Sequence, residues 1–445
     1  MSYEKTHPMY AAHLPEWQRI RACCAGGDAV KEAGERYLPK PGGLTDKEYA
    51  AYKDRALFFG ATGRTVDGLL GAMFRKDPSI TLPDNMAYLL SNADGAGTSL
   101  NVFLRSVAKE VLTMGRHGLL TEIDRFGNPY LVSYAAENIR NWRETSEDQT
   151  VVDQVILREI HTVPAPDGFG ATYEERYRVL ELEGGQYIQT VYGAAGSQGI
   201  REEPVVRGRA LGYIPFTFVG SDNLSPAVGK SPVSELSAVN ISHYVTQADL
   251  EHAAHWTGLP TLVVIGASDE NTSLRVGSSE AVLLPPGGDM KFVEFTGAGL
   301  SVLSERAAAK ESYMVLLGAR LLEEQKKAAE TAESKRLQYS GENSILAQIA
   351  NLVSEAVTRN LVYAYKIITN SDADVGADTV SVSLNTDFFD AKLTSDQATA
   401  IVSLYQNGLM SQRSAVWNLQ QGEVLPPDTT VEAEIDAIET TPPAV

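Results

Sequence analysis

The hydrophobic and polar positions of this chain repeat with a helical period at first, with a period of two in the middle, and with a helical period again further on. Over residues 1–130 the pattern predicts mainly helices, beginning with Leu14 to Ala25 and Ala29 to Tyr37, before Pro39, Pro41, Gly42 and Gly43 break the chain. Thr45 and Glu48 have the spacing of a capping box, and Tyr49, Tyr52, Ala56 and Phe59 follow at helical intervals. A helix over 62–74 is marked by Val66, Leu69, Leu70 and Phe74 and ends before Pro78. From Ser99 to Gly115, Val102, Phe103, Val107, Val111 and Leu112 form one apolar stripe. From Leu119 alternation takes over and predicts strands over 118–123, 130–134, 151–163, 172–182 and 186–192, with turns at Arg125-Phe126-Gly127-Asn128 and Gly184-Gly185. Ile214 to Val219 adds a short apolar strand.

The most informative segment lies between 231 and 327. A helix is predicted from Ser231 to about Trp256, with Pro232 in its first turn. A β module follows, with strands over Leu259 to Ile265, Ala281 to Leu284 and Met290 to Phe295. A second helix covers about 300–327. On that helix Leu303, Arg306, Lys310, Tyr313, Leu317 and Arg320 are spaced three and four apart and are expected to share one broad face. A long helical region over 328–369 is interrupted near Gly341, and Val380, Val382 and Leu384 mark a strand. Two short helices, over 395–407 and 412–421, stop at Gly408 and Gly422, the first capped by Thr394 with Gln397. The expected divisions are therefore an N-terminal arm (1–45), a helical then β-rich part (46–230), a first long helix (231–257), a β module (258–299), a second long helix (300–327), a loop, long helix and strand (328–392), small helices (393–424) and an acidic flexible tail (425–445).

Composition refines this reading. The 445 residues are 43% hydrophobic and 21% charged, enough for two or three domains' worth of core. A net charge of −19 opposes tight wrapping of a nucleic-acid duplex, which needs Lys and Arg to replace counterions, but suits a wall past which DNA slides. From Asp372 onward there are twelve acids and only two bases, Lys392 and Arg413. Cys23 and Cys24 are adjacent, a poor geometry for a bridge, and a reducing compartment is expected. Met1 to Trp17 has no apolar core of a signal peptide, and no apolar run is long enough for a membrane helix.

Chemistry-bearing motifs are sparse. Gly229-Lys230-Ser231 resembles the end of a phosphate-binding loop, but Leu224 stands where the first glycine belongs and Pro232 removes a needed N–H. His252 and His255 share a helical face near Asp249 and His243 without a third ligand of distinctive spacing, so contacts between helices or subunits are the better reading. No nucleophile elbow is present, and no catalytic, cofactor or metal residues are assigned. The basic face of helix 300–327 allows two readings. One is a solvated face paired with Glu305, Glu323 and Glu324. The other is a ring of positive charge that a symmetric oligomer offers to a passing polyanion.

The order of segments, together with Gly229-Lys-Ser-Pro-Val-Ser-Glu-Leu-Ser-Ala-Val-Asn240, His243-Tyr244, Ala248-Asp249, Gly258-Leu-Pro-Thr-Leu-Val263, Leu284-Pro-Pro-Gly-Gly288, Glu294-Phe-Thr-Gly297, Leu317-Gly-Ala-Arg-Leu-Leu322 and Glu330-Thr-Ala-Glu-Ser334, resembles the portal proteins of tailed bacteriophages over roughly residues 45–425. The resemblance implies an α+β portal fold. Its parts would be a helical and β-rich wing, two stem helices around a small clip, a tunnel loop with a long wing helix, and a small helical crown. It further implies a ring of about twelve copies at one capsid vertex of the virion, made in the host cytoplasm. Double-stranded DNA would be packaged and later ejected through the ring. Partners would be the terminase large subunit, a head-completion or adaptor protein and the major capsid protein, with no membrane and no cofactor. The implied channel-lining candidates are Arg306, Lys310 and Arg320, then Lys326, Lys327, Lys335 and Arg336. The terminase-facing clip would turn at Pro285, Pro286, Gly287 and Gly288. The alternatives are another virion structural protein, or a hydrolytic enzyme using Asp, Glu and His.

Overall fold

A computed structural model describes residues 3–145, 152–165, 167, 169–193, 199–206, 209–257, 261–265, 289–293, 298–319, 345–388, 395–421, 424–425 and 430–440. It mixes helices and antiparallel sheets, an α+β architecture, in two compact units, 1–386 and 387–445.

The first unit opens with helices α1 (Pro8–Ala25), α2 (Gly27–Glu32), α3 (Asp46–Arg55), α4 (Ala61–Met73), α5 (Tyr88–Ser91) and α6 (Leu100–Met114), with strand β1 (Ser79–Thr81) between α4 and α5. The capping box at α3 forms as expected: Glu48 N–H donates to Thr45 Oγ1, and Thr45 N–H donates to Glu48 Oε2 at 2.7 Å. The expected N-terminal arm includes α1, which packs into the body. Trp17 and Ile20 of α1 are fully buried, and Trp17 Nε1–H donates to Met114 O of α6 at 3.1 Å. The bulky apolar spacing of α1 makes it a core element, not a strap. Arg21 on the same helix bridges Glu110 of α6 and Glu137, and these two carboxylates hold its pKa above the ordinary arginine value against the effect of burial.

Next come β2 (Arg116–Ile123), β3 (Pro129–Ala135), β4 (Ile139–Glu144), β5 (Val152–Pro164), β6 (Ala171–Glu183), β7 (Gln186–Tyr192), β8 (Ile200–Glu202), β9 (Val205–Val206), β10 (Arg209–Ala210) and β11 (Phe216–Gly220). They form a three-stranded sheet ordered β11-β2-β3, a five-stranded antiparallel sheet ordered β4-β5-β6-β7-β8, and a β9–β10 pair. Strand β4 escaped the alternation pattern because Arg140, Asn141 and Arg143 surround its two buried anchors, Ile139 and Trp142. At the β6–β7 turn Gly184 and Gly185 have φ of 58° and 79°, a pair of left-handed positions that suits a two-residue hairpin loop.

Strand β2 is buried on both faces, so its polar residues need internal answers. Arg116 lies 4.2 Å above Trp142 and 4.6 Å from Phe218, and donates to Pro226 O (2.7 Å) and Ala227 O (3.2 Å). Burial pulls its pKa down to about 9. His117 points to the other face and is held neutral, its pKa pushed down to about 4 by burial.

After the segment described in the next subsection, α9 (Ile345–Thr369) covers the three-stranded sheet, with Thr121 Oγ1–H donating to Asn360 O at 3.0 Å. Strand β14 (Ser381–Ser383) then pairs with β1, Ile80 opposite Val382, so the end of the unit returns to its beginning. The second unit contains α10 (Ser395–Gln406), α11 (Gln412–Gln421) and α12 (Val431–Thr440). Gly408, φ 73°, ends α10, and Arg413 pairs with Glu432 at 2.6 Å. Helix α12 lies within the stretch expected as an acidic tail: Val431, Ile435 and Ile438 recur at helical spacing within the acidic run. Residues Thr394, Gly422 and Gly341 lie outside the described residues.

The corner between α6 and β2 is closely packed. Gly115 closes α6 with φ 67°, and a Cβ there would stand 2.8 Å from Lys230 O. Gly115→Ala is expected to destabilise the protein by about 2–3 kcal/mol, combining the left-handed penalty with the backbone clash. Urea unfolding monitored by circular dichroism measures this, and an unchanged midpoint would contradict the packing. His117 gives a second expectation. Its folded pKa lies below the unfolded value of 6.5, so the stability it contributes is present above that value and is lost as pH falls toward about 4, roughly 3 kcal/mol in all. His117→Phe should flatten the urea midpoint between those pH values; an equally steep acid loss in the variant would refute the assignment.

Candidate functional site

The predicted helix–strand–helix segment is present as α7 (Ser234–Thr257), the antiparallel pair β12 (Thr261–Ile265) and β13 (Asp289–Val293), and α8 (Ala298–Ala319). The register runs from Thr261 opposite Val293 to Ile265 opposite Asp289. The expected strand at Ala281 to Leu284 and the turn candidates Pro285, Pro286, Gly287 and Gly288 lie outside the described residues. So do Arg320, Lys326, Lys327, Lys335 and Arg336.

Gly229-Lys230-Ser231, the near-match to a phosphate loop, is packed backbone: Lys230 O accepts from Ser221 Oγ at 2.9 Å, and Ser231 Oγ–H donates to Thr113 O. The chain enters α7 three residues later than the sequence suggests, through a turn in which Ser234 N–H donates to Ser231 O. Helix α7 has no single apolar stripe. Leu236, Tyr244 and Ala248 are buried, and so are Ser234, Ser237, Asn240, His243 and Thr246. A helix buried with polar residues around its girth needs a partner for each of them.

Those partners come from three directions. Arg19 of α1 donates to Ser237 Oγ at 3.0 Å and to Ser234 O at 3.3 Å. Asn240 Oδ1 accepts from Thr62 N–H (3.1 Å) and Thr62 Oγ1–H (2.9 Å), and Asn240 Nδ2–H donates to Phe59 O at 2.7 Å. Tyr52 Oη–H of α3 donates to Asp249 Oδ1 at 2.7 Å, and Arg55 meets His252 Nδ1 at 3.3 Å. Tyr244 and Ala248 close an apolar cluster with Val30, Tyr37, Leu38, Tyr52 and Ala56. His252 therefore serves a contact between helices.

The third direction is α8. Leu303, Ala307, Lys310, Met314 and Leu317, alternately four and three apart, are wholly or partly buried on the side toward α7. Lys310 Nζ donates to Ser242 O (2.9 Å) and Thr246 Oγ1 (2.7 Å), His243 Nε2 meets Glu311 Oε1 at 3.0 Å, and Tyr313 Oη–H donates to Glu235 Oε1 at 2.8 Å. The pairing runs antiparallel, over helices of about 36 and 33 Å, so the β12–β13 pair joins their distal ends. At the near end Gly318 packs close against Thr65 of α4.

The residues expected to share one broad face of α8 divide between its packed side and the adjoining exposed edge. Leu303, Lys310 and Leu317 belong to the packed side, while Arg306 and Tyr313 stand exposed along its edge. Lys310 is partly buried and holds the hairpin together; burial, then the charge of Arg306, lowers its pKa. The outer face of α8 carries Val302, Val315 and Leu316 in exposed positions, with Val315 71% exposed. The stretch Gly229 to Asn240 was singled out only for its resemblance, and nothing in it marked the anchoring roles of Ser237 and Asn240. The available signal was the absence of an apolar stripe on a long helix.

Among the described residues no group of three or more His, Cys, Asp or Glu is arranged to hold a metal ion, and no helix is long and apolar enough to cross a membrane.

A domain family described as a domain of unknown function (DUF4055) matches residues 232–366. That stretch begins just before α7 and ends within α9, less than a third of the chain. No curated protein matches the chain at a significant level. Among solved structures the chain is similar to the neck of an empty GTA particle computed with C6 symmetry, at 15% identity and a TM-score of 0.38, covering 86% of this chain and 93% of that one.

Two outcomes follow for the hairpin. Asn240→Ala leaves Thr62 N–H and Phe59 C=O buried without their partner and should cost about 2–4 kcal/mol in urea unfolding. A cost below about 0.5 kcal/mol would refute the anchor. Burial, partly offset by Glu311, lowers the pKa of His243, so the neutral ring is the folded form. Its contribution is present above 6.5 and is lost as pH falls below it. His243→Gln should make stability less dependent on pH on that acid side.

Proposed function

We propose that this chain is the portal subunit of a tailed-bacteriophage-like particle. Copies assemble into a closed ring at one capsid vertex. Double-stranded DNA passes through its bore during packaging and ejection, and the protein itself carries out no catalysis. The observation that carries this reading is the α7–β12/β13–α8 hairpin. Two long helices are rooted in the body by buried hydrogen bonds and joined at their far ends by a β pair, and Val302, Val315 and Leu316 of α8 are left exposed in the single chain. Exposed large apolar side chains beside a rigid root are what a neighbouring copy covers in a ring. The overall acidity keeps passing DNA from being trapped, while exposed Arg306, close to the edge of the packed seam, supplies sparse positive charge toward the phosphates. Lys310 contributes less, because its ammonium already holds two acceptors on α7. The stretch between β12 and β13 is the terminase- and adaptor-facing end in this reading, and ATP hydrolysis belongs to the terminase.

The mass of the purified assembly, with end-on views in the electron microscope, tests the proposal. A ring with a central channel near 580 kDa, about twelve times 48.1 kDa, is the expected result. A particle of one or two chains that stays small at high concentration would overturn it.

A further inference from the structure

The junction of the two sheets in the first unit contains a cavity of about 220 Å³ that the assembly reading does not use. Its polar end is built by Glu122 of β2, Gln189 and Tyr187 of β7 and Glu202 of β8, and its apolar walls include Leu211 and Pro215. Gln189 Nε2–H donates to Glu122 Oε1 at 2.7 Å. Arg178 is held by Glu159 at 2.7 Å and lies 3.6 Å from Glu122, and Tyr134 Oη–H also donates to Glu159.

The charges do not balance. Glu122 and Glu159, each with a side chain 13% exposed, share one partly buried cation, Arg178. His161 meets Glu159 from the more exposed side, and Glu203 turns to Arg201 at 3.6 Å. Glu202, directly opposite Gln189 in the β7–β8 register, adds a carboxylate near Glu122. Burial raises the Glu122 pKa, and Glu202 contributes to the rise. Tyr187 is 2% exposed, and its hydroxyl makes no hydrogen bond among the described residues although it borders the cavity. A half-buried carboxylate that shares its cation with a second carboxylate and an unanswered hydroxyl facing one cavity together favour a donor with positive charge.

We propose that this cavity binds an alkylammonium group, its NH₃⁺ held between Glu122, Glu202 and the Tyr187 hydroxyl and its methylenes lying along Leu211 and Pro215. The three N–H donors of an ammonium match the three oxygen acceptors, and the apolar wall suits a short carbon chain.

Isothermal titration of the full-length chain with 1,5-diaminopentane at about 0.15 M salt tests the site. One saturable site per chain is expected. Glu202→Gln should weaken it about tenfold or more, and Tyr187→Phe should also weaken it. Glu35→Gln removes an equal charge at an exposed position elsewhere and should leave binding unchanged. Absence of a saturable site, or equal binding by the Glu202 and Glu35 variants, would overturn the proposal. Titration with Nα-acetyl-lysine amide identifies the source. Tighter binding than the diamine assigns the site to a lysine side chain of another chain, and weaker binding assigns it to a free amine; both support an alkylammonium site.

Discussion

Everything distinctive in this structure depends on how α7 satisfies its buried polar groups. The helix passes through the body with Ser234, Ser237, Asn240, His243 and Thr246 inside, and each finds a partner on a different element. An apolar core would tolerate rotation or sliding of such a helix by small steps. A polar one does not, because any shift leaves several donors and acceptors unanswered at about 1–3 kcal/mol each. The network therefore sets the rotation and depth of α7, and α8 inherits both through Lys310, Glu311 and Tyr313.

That rigidity explains why the hairpin suits a wall. The α6–β2 corner, with Gly115 against Lys230 and Arg116 gripping the 226–227 carbonyls, fixes where α7 begins. The near end of α8 is seated by Gly318 on α4. The two helices thus act as one beam whose exposed apolar residues Val302, Val315 and Leu316 have no cover among the described residues. Repeating the beam around an axis would cover them, and it would leave an acidic surface with few positive charges facing a polyanion.

Much of this order was legible in the sequence. Alternation located β2, β3, β5, β6 and β7, and Thr45 with Glu48 located the start of α3. The bracketing of a β pair by two long helices was also readable. What escaped has one physical cause: the partners are distant in sequence. Lys310 read as a surface charge because Ser242 and Thr246 lie more than sixty positions away. The core role of α1 was missed because its bulky residues meet Met114 and the α7 serines, contacts that no local period encodes. Helix α12 was hidden by the acidic composition around its three apolar residues.

The most direct test of this account is a reconstruction of the assembled particle at side-chain resolution. The account predicts a closed ring in which α7 and α8 surround the central bore, the exposed Val302, Val315 and Leu316 of each copy are buried against the next, and Arg306 reaches the bore. A particle with this hairpin on its outer rim, or with the outer face of α8 open to solvent, would contradict it.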